Sequence, residues 1–185
     1  MSKTGLMIIT DGSEEMEVII TVDVLRRAGV NVTIAGLTGS QPVKCSRNVV
    51  IVPDKSLADA KGVYDVVMLP GGLEGAKALC RSDDVKAILM EQEKSGRLIA
   101  AICAAPTALK SHGICLHKSL TSHPSKADEM KEGGKYKYSE DRVVVDGKLI
   151  TSRAPGTAFE FALSIVEHLC GKEKVNEISP AMVLK

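Results

Sequence analysis

The chain has 185 residues, of which 44% are hydrophobic and 25% charged, with 24 basic and 23 acidic side chains and a net charge of +1. That length and balance suit one folded domain with a sizeable core and leave no polar tract for disorder. The near-neutral charge gives no general electrostatic grip on nucleic acid or anionic lipid, so a small, roughly neutral substrate is expected.

Met1 to Gly5 carry no apolar signal region, and no stretch approaches the roughly 18 apolar residues of a membrane span. A cytoplasmic protein with no membrane partner is therefore expected. Five cysteines, at 45, 80, 103, 115 and 170, are odd in number and form no C-x-x-C pair. They read as free thiols in a reducing compartment and argue against a zinc site.

Gly5 to Thr10 reads as a short buried strand. Val18, Ile19, Val22, Leu25 and Ala28 then recur at helical spacing until Gly29 stops the helix. Val30 to Ala35 forms a second strand, and Asn48 to Val52, ending at Pro53, forms a further short one in a small edge hairpin. Tyr64 to Leu69 is a core strand that stops at Pro70-Gly71-Gly72, and Asp83 to Ser95 carries a helical pattern with Val85, Ile88 and Leu89 inward. Leu98 to Ile102 is continuously apolar, as a strand covered on both faces must be, and runs straight into Cys103-Ala104-Ala105-Pro106. Arg142 to Val145 and Leu149 to Thr151 flank Asp146-Gly147, a hairpin signal, and Thr157 to Leu169 is the last amphipathic helix. Strands alternating with helices imply a mostly parallel sheet covered on both sides.

In such sheets ligands bind beyond the carboxyl ends of the strands. Three loops lie there: Asp11 to Glu17, Pro70 to Gly72, and Cys103 to Pro106. Cys103 follows its strand without a spacer, and the small residues at 101, 104 and 105 permit a sharp nucleophile-elbow turn. Amides at the start of the following helix would favour a thiolate, the reacting form. A buried structural cysteine is the competing reading, and the better one for Cys45, Cys80, Cys115 and Cys170. Gly71-Gly72 could present N–H groups to an oxyanion or be only a turn. Acids at 11, 14, 15 and 17 argue against a phosphate-binding loop and could equally be a charged helix start. Of these, Glu17 is placed to reach a neighbouring loop; if it meets Cys103 it must be protonated, since a carboxylate would raise the thiol pKa. His123 could serve as general acid or base, or could be an ordinary loop residue.

These segments together resemble the ThiJ/PfpI superfamily, specifically its Parkinson-disease protein deglycase branch. The likeness runs through Gly12 to Glu17, Asp23 to Gly29, Cys45-Ser46-Arg47, Asp65 to Gly72, Leu98 to Pro106, and Thr151-Ser152-Arg153 before Pro155-Gly156-Thr157. It implies a flavodoxin-like three-layer sandwich forming a homodimer, with Cys103 as nucleophile, Glu17 as its protonated partner and His123 close by. It further implies that Gly71, Gly72 and Ala104 border an anion-stabilising pocket with Arg47 and Arg153 at its rim. The implied activity is cofactor-free and metal-free: conversion of methylglyoxal to lactate and removal of early glyoxal adducts from proteins and nucleotides. Thiol oxidation as a stress signal, chaperone behaviour, and movement between cytosol, nucleus and mitochondria are implied as well. Three departures stand out: Val52 where relatives often carry a second cysteine, Ala105 and Ala154 where relatives may have glycine, and Ala104 where the peptidase branch has histidine. With no His-x-Glu pair either, proteolysis and glutaminase activity are disfavoured.

Overall fold

A computed structural model describes residues 2–184. β1 (Thr4–Ile9), α1 (Glu15–Arg27) and β2 (Asn31–Gly36) come first, then the two-residue strands β3 (Val43–Lys44), β4 (Val50–Ile51) and β5 (Lys55–Ser56). β6 (Val66–Leu69), α2 (Leu73–Arg81), α3 (Asp83–Lys94), β7 (Leu98–Ile102) and α4 (Pro106–His112) follow. The remainder comprises β8 (Ser119–Leu120), α5 (Ala127–Lys131), β9 (Lys137–Tyr138), β10 (Val143–Asp146), β11 (Leu149–Ser152), α6 (Ala158–Cys170) and α7 (Lys172–Ile178). The main sheet runs β10-β11-β7-β6-β1-β2-β5, parallel throughout except for the β10–β11 pair.

The central strands read as continuous apolar runs because each residue faces one of two cores. On β1, β6 and β7, the residues Met7, Ile9, Val66, Met68, Leu98, Ala100 and Ile102 pack with Val18, Val22 and Leu25 of α1 and Phe161 and Ile165 of α6. Their alternates Leu6, Ile8, Val67, Leu69, Ile99 and Ala101 pack with Leu79 of α2, Val85 and Leu89 of α3, and Leu109 of α4. The result is the flavodoxin-like three-layer sandwich expected from the sequence. The order in which strands are added reverses at β1, which has β2 on one flank and β6 on the other, so the loops after β1, β6 and β7 converge at a topological switch point.

Three local readings change. The 48–52 strand shortens to β4, which pairs only with β3 in a separate hairpin, so the sheet edge is β5. α7 extends the fold beyond the last expected helix. α2 is an element the sequence pattern does not announce, because Gly71, Gly72 and Gly75 dominate its start. Gly75 is there for packing: a Cβ on it would lie 2.9 Å from both the N and Cα of Ser13, so only glycine lets α2 close on the β1–α1 loop.

Candidate active site

Cys103 is the first residue after β7 and has φ +65°, a left-handed conformation costing roughly 1–2 kcal/mol for a residue with a Cβ. Its peptide groups are held on both sides. The Cys103 N–H donates to Ser152 O at 2.9 Å, continuing the β11–β7 ladder, while its carbonyl accepts from His123 N–H at 2.7 Å. Ala105 N–H closes the turn onto Ile102 O at 3.0 Å. The surrounding structure thus over-determines the strained residue and leaves its side chain 8% exposed at the strand tip. Backbone strain alone does not single out this thiol, because Cys115 also has positive φ, +55°. Burial pushes the Cys115 thiol up to about 12, and the neighbouring Glu93 charge adds to it; no backbone N–H offsets them there.

Glu17 points inward from the first turn of α1 and is fully buried. Its Oε2 accepts from Gly71 N–H at 2.7 Å. Its Oε1 has no conventional hydrogen-bond partner among the described residues. Burial pushes the Glu17 carboxyl up to about 8 against the lowering effect of the Gly71 N–H and the Cys103 thiol, so at neutral pH Glu17 is an acid with a proton to donate. Gly71 makes the approach possible: a Cβ there would lie 2.6 Å from Cys103 Cβ and 2.8 Å from Glu17 Oε2.

Burial also pushes the Cys103 thiol up, to about 12 beside the Glu17 charge, while the N–H groups of Gly72 and Ala104 pull it down. The thiolate expected from the sequence therefore depends on the neutral acid as much as on the peptide dipoles. Sulfur and carboxyl share one apolar space that accommodates a single negative charge, and a thiolate exists there only while Glu17 keeps its proton. Gly71 is corrected as well: its N–H is taken by Glu17, leaving the N–H groups of Gly72 and Ala104 as the ones that face the reacting sulfur.

A cavity of about 280 Å³ opens over the thiol, lined among others by Arg47, Gly72, Cys103, Ala104 and His123. His123 Nδ1 accepts from Ser125 N–H at 3.2 Å and lies 2.8 Å from Ser125 Oγ. The neutral ring therefore carries its proton on Nε2 and enters chemistry as a donor. Arg153 is not on the lining. Its guanidinium is held by two carbonyls, Glu140 O at 3.0 Å and Ser122 O at 3.4 Å, so it braces the segment that carries His123.

The sequence profile of the DJ-1/PfpI family matches residues 3–168. The chain belongs to the DJ-1/PfpI family. It is 56% identical over 185 residues to the Parkinson disease protein 7 homolog of Danio rerio, covering 99% of this chain and 98% of that one. It is 46% identical to a Caenorhabditis elegans protein named glutathione-independent glyoxalase DJR-1.2, covering 98% and 97%. The crystal structure of Drosophila melanogaster DJ-1beta superposes with a TM-score of 0.97 at 55% identity, over 100% of both chains.

Within this family member the four acids of the first loop divide their tasks. Asp11 accepts from Lys44 N–H, Glu14 caps α1 by accepting from Glu17 N–H, Glu15 holds Ser46 and Arg47, and Glu17 turns to the thiol. The charged helix start and the site are thus the same segment. Glu14, Ser46, Ser125 and Lys126 also line the cavity. Glu14 and Ser46 lie in segments the sequence singles out, although neither was assigned to the site, whereas Ser125 and Lys126 follow Pro124, which marks only the start of a short helical turn. Ala105 and Ala154 have φ of −63° and −167°, which any residue adopts; neither lines the cavity, so neither narrows it. Val52 is 65% exposed on the hairpin. A second cavity of about 260 Å³, lined by Leu6, Leu57, Tyr64 and Val67 among others, lies at the amino ends of the strands and contains no thiol.

Proposed function

We propose that this chain is a cofactor-independent, cysteine-dependent glyoxalase and deglycase acting on methylglyoxal, glyoxal and their early adducts on proteins or nucleotides. The observation that carries the reading is the fully buried Glu17 carboxyl beside the positive-φ thiol of Cys103, which borders a cavity. The name of the nematode relative supports it.

Cys103 sulfur attacks the aldehyde carbon of the dicarbonyl, forming a C–S bond as the carbonyl oxygen becomes an oxyanion. The thiol proton passes to solvent and one proton, from Glu17, neutralises that oxygen, while His123 Nε2 donates to the neighbouring carbonyl oxygen and recovers the proton that the first oxygen releases on rearrangement. Glu17, now ionised, takes the proton from the former aldehyde carbon, and its return to the adjacent carbon leaves a thioester of a 2-hydroxy acid. Water then releases lactate from methylglyoxal, or glycolate from glyoxal, and regenerates the thiol. Gly72 and Ala104 N–H groups stabilise charge on sulfur during attack and release. Cys103→Ser should abolish lactate formation from methylglyoxal with an unchanged circular dichroism spectrum; retained turnover would remove the assignment.

The same donors suit a sulfinate, which motivates a second reading as a redox sensor. Intact mass after mild peroxide, set against turnover on methylglyoxal, separates the two. Homodimerisation is supported by exposed Met16 and Ile19 on α1 beside exposed Val50 and Val52 of the β3–β4 hairpin, a patch a second copy would cover. Ile19→Glu should halve the mass measured by sedimentation, and an unchanged mass would exclude this face. All five cysteines are unpaired, in keeping with a reducing, cytosolic setting.

A further inference from the structure

The overall charge of the chain is close to zero, yet the cavity over Cys103 is lined by Arg47, Lys126 and His123 against one acid, Glu14, whose carboxylate is engaged by the Glu17 N–H as the cap of α1. Lys126 is neutralised by Glu129 at 2.9 Å. Arg47 makes no salt bridge among the described residues; its guanidinium donates only to the Ser46 carbonyl, at 3.1 Å. It projects from an irregular turn, Cys45 to Val49, in which Asn48 has φ +69°. Such a turn is not held by a regular ladder. Cys45 N–H donates to Val49 O at 2.8 Å and Asn48 N–H to Cys45 O at 3.0 Å, and the tie to the rest of the site is made by Glu15. Glu15 is 7% exposed. Its Oε2 accepts from Ser46 Oγ at 2.8 Å and its Oε1 from Arg47 N–H at 2.7 Å, while Ser46 N–H donates to Ser13 O at 2.9 Å.

Burial disfavours the charge on Glu15, but its own N–H, the Ser46 hydroxyl and the Arg47 N–H together hold the carboxyl below the usual range. It is a buried carboxylate satisfied by the turn it holds, and unlike Glu17 it has no contact with the reacting sulfur. Of the cavity-lining residues, Glu15 fixes Ser46 and Arg47, and Arg47 is the one that carries charge.

We propose that Glu15 is a positioning residue that pins the 45–49 turn and so holds the Arg47 guanidinium over the Cys103 cavity, making that cavity select anionic reactants. This rests on the proposed function for its biological meaning: the favoured substrates are dicarbonyls or adducts that also carry a carboxylate or phosphate. The geometry itself is independent of turnover. An arginine fork in a small cavity recognises planar or tetrahedral oxyanions by paired N–H donation and raises their local concentration.

The test compares alkylation of Cys103 by iodoacetate, an anion, with that by neutral iodoacetamide. In both, sulfur displaces iodide, which leaves with its bonding electrons, and the thiol proton passes to solvent. The ratio of the two rates reads the charge at the cavity, whereas general loosening of the fold would raise both. Arg47→Ala should lower the ratio by roughly threefold or more at low salt. Glu15→Ala should lower it equally, and the Glu15→Ala/Arg47→Ala double variant no further. Glu15→Gln keeps an acceptor for the turn and should preserve or raise the ratio. If Glu15→Ala instead raises the ratio, Glu15 acts only through its own charge and the proposal is overturned; an unchanged ratio in Arg47→Ala overturns it too. Absence of lactate formation in the parent protein would remove the glyoxalase reading while leaving this ratio intact.

Discussion

A buried carboxylic acid leaves a thermodynamic signature that can be worked out in advance. Glu17 holds its proton to about pH 8 in the folded chain, against 4.5 when unperturbed, because burial disfavours its charge. Below pH 4.5 both folded and unfolded states are protonated and nothing depends on pH. Between 4.5 and 8 the unfolded chain has lost the proton and the folded chain has not, so the folded state binds more protons and stability falls as pH rises. Above 8 both are ionised and the loss levels off. At about 1.36 kcal/mol per pH unit, the penalty is roughly 3 kcal/mol at pH 7 and roughly 5 kcal/mol by pH 8. Glu17 is fully buried, so solvent screening does not reduce it.

Glu17→Gln removes the titration while keeping an oxygen for Gly71 N–H. The comparison is cleanest in a Cys103→Ala background, where the coupled thiol is gone. Urea unfolding of Cys103→Ala and of Cys103→Ala/Glu17→Gln at pH 5, 6, 7 and 8 should show the glutamine variant gaining about 1.4 kcal/mol relative to its parent with each pH unit. A difference that stays flat across that range would mean that Glu17 ionises like a surface carboxylate. The thiol would then face a charge rather than a proton donor, and the proposed proton transfers would have no source.

Three other outcomes follow from the same geometry. Gly71→Ala places a Cβ 2.6 Å from Cys103 Cβ and 2.8 Å from Glu17 Oε2; it should cost about 1–3 kcal/mol by overpacking and sharply reduce lactate formation, both measurable on one preparation. Cys103→Gly should match or exceed Cys103→Ala in stability, because φ +65° cancels the usual glycine penalty of about 0.5–1 kcal/mol; a thermal melt in which glycine is the less stable by that amount contradicts the strain argument. In neutral protein, long-range ¹⁵N–¹H correlations of His123 should show an unprotonated Nδ1 and a protonated Nε2, as Ser125 N–H donation to Nδ1 dictates. The opposite tautomer would remove His123 as a proton donor.

What the sequence disclosed depended on how local the cause was. β7 was bounded correctly at Leu98 to Ile102 because its limits are set by its own apolar run, and Cys103 was legible because it abuts that run with small residues on both sides. Glu17 was legible as the one acid of four placed to reach a neighbouring loop, but its partner in that loop was not. Its distinction is a bond to Gly71, 54 positions away, which appears only when α1 and the β6–α2 loop meet. α2 was missed for a related reason: its glycines serve contacts with Ser13, and propensity cannot see those. The bracing role of Arg153 was not legible because the carbonyls that capture it come from Ser122 and Glu140, in irregular segments with no periodicity.

The coupling between these non-local features also explains why the site resists reading from any single motif. Gly71 must lack a side chain for Glu17 to approach Cys103, and the Gly71 N–H that would otherwise be an oxyanion donor is spent on orienting Glu17. Glu17 must be buried to stay protonated, and its burial is what makes ionisation of the thiol beside it depend on that proton. Alter one member and the others lose their chemistry rather than merely their packing. A double variant joining Gly71→Ala to Glu17→Gln should accordingly react with iodoacetamide at Cys103 no more slowly than the slower of the two single variants, because both remove the same donated proton. Multiplicative losses would show that Gly71 and Glu17 act on the sulfur through separate routes.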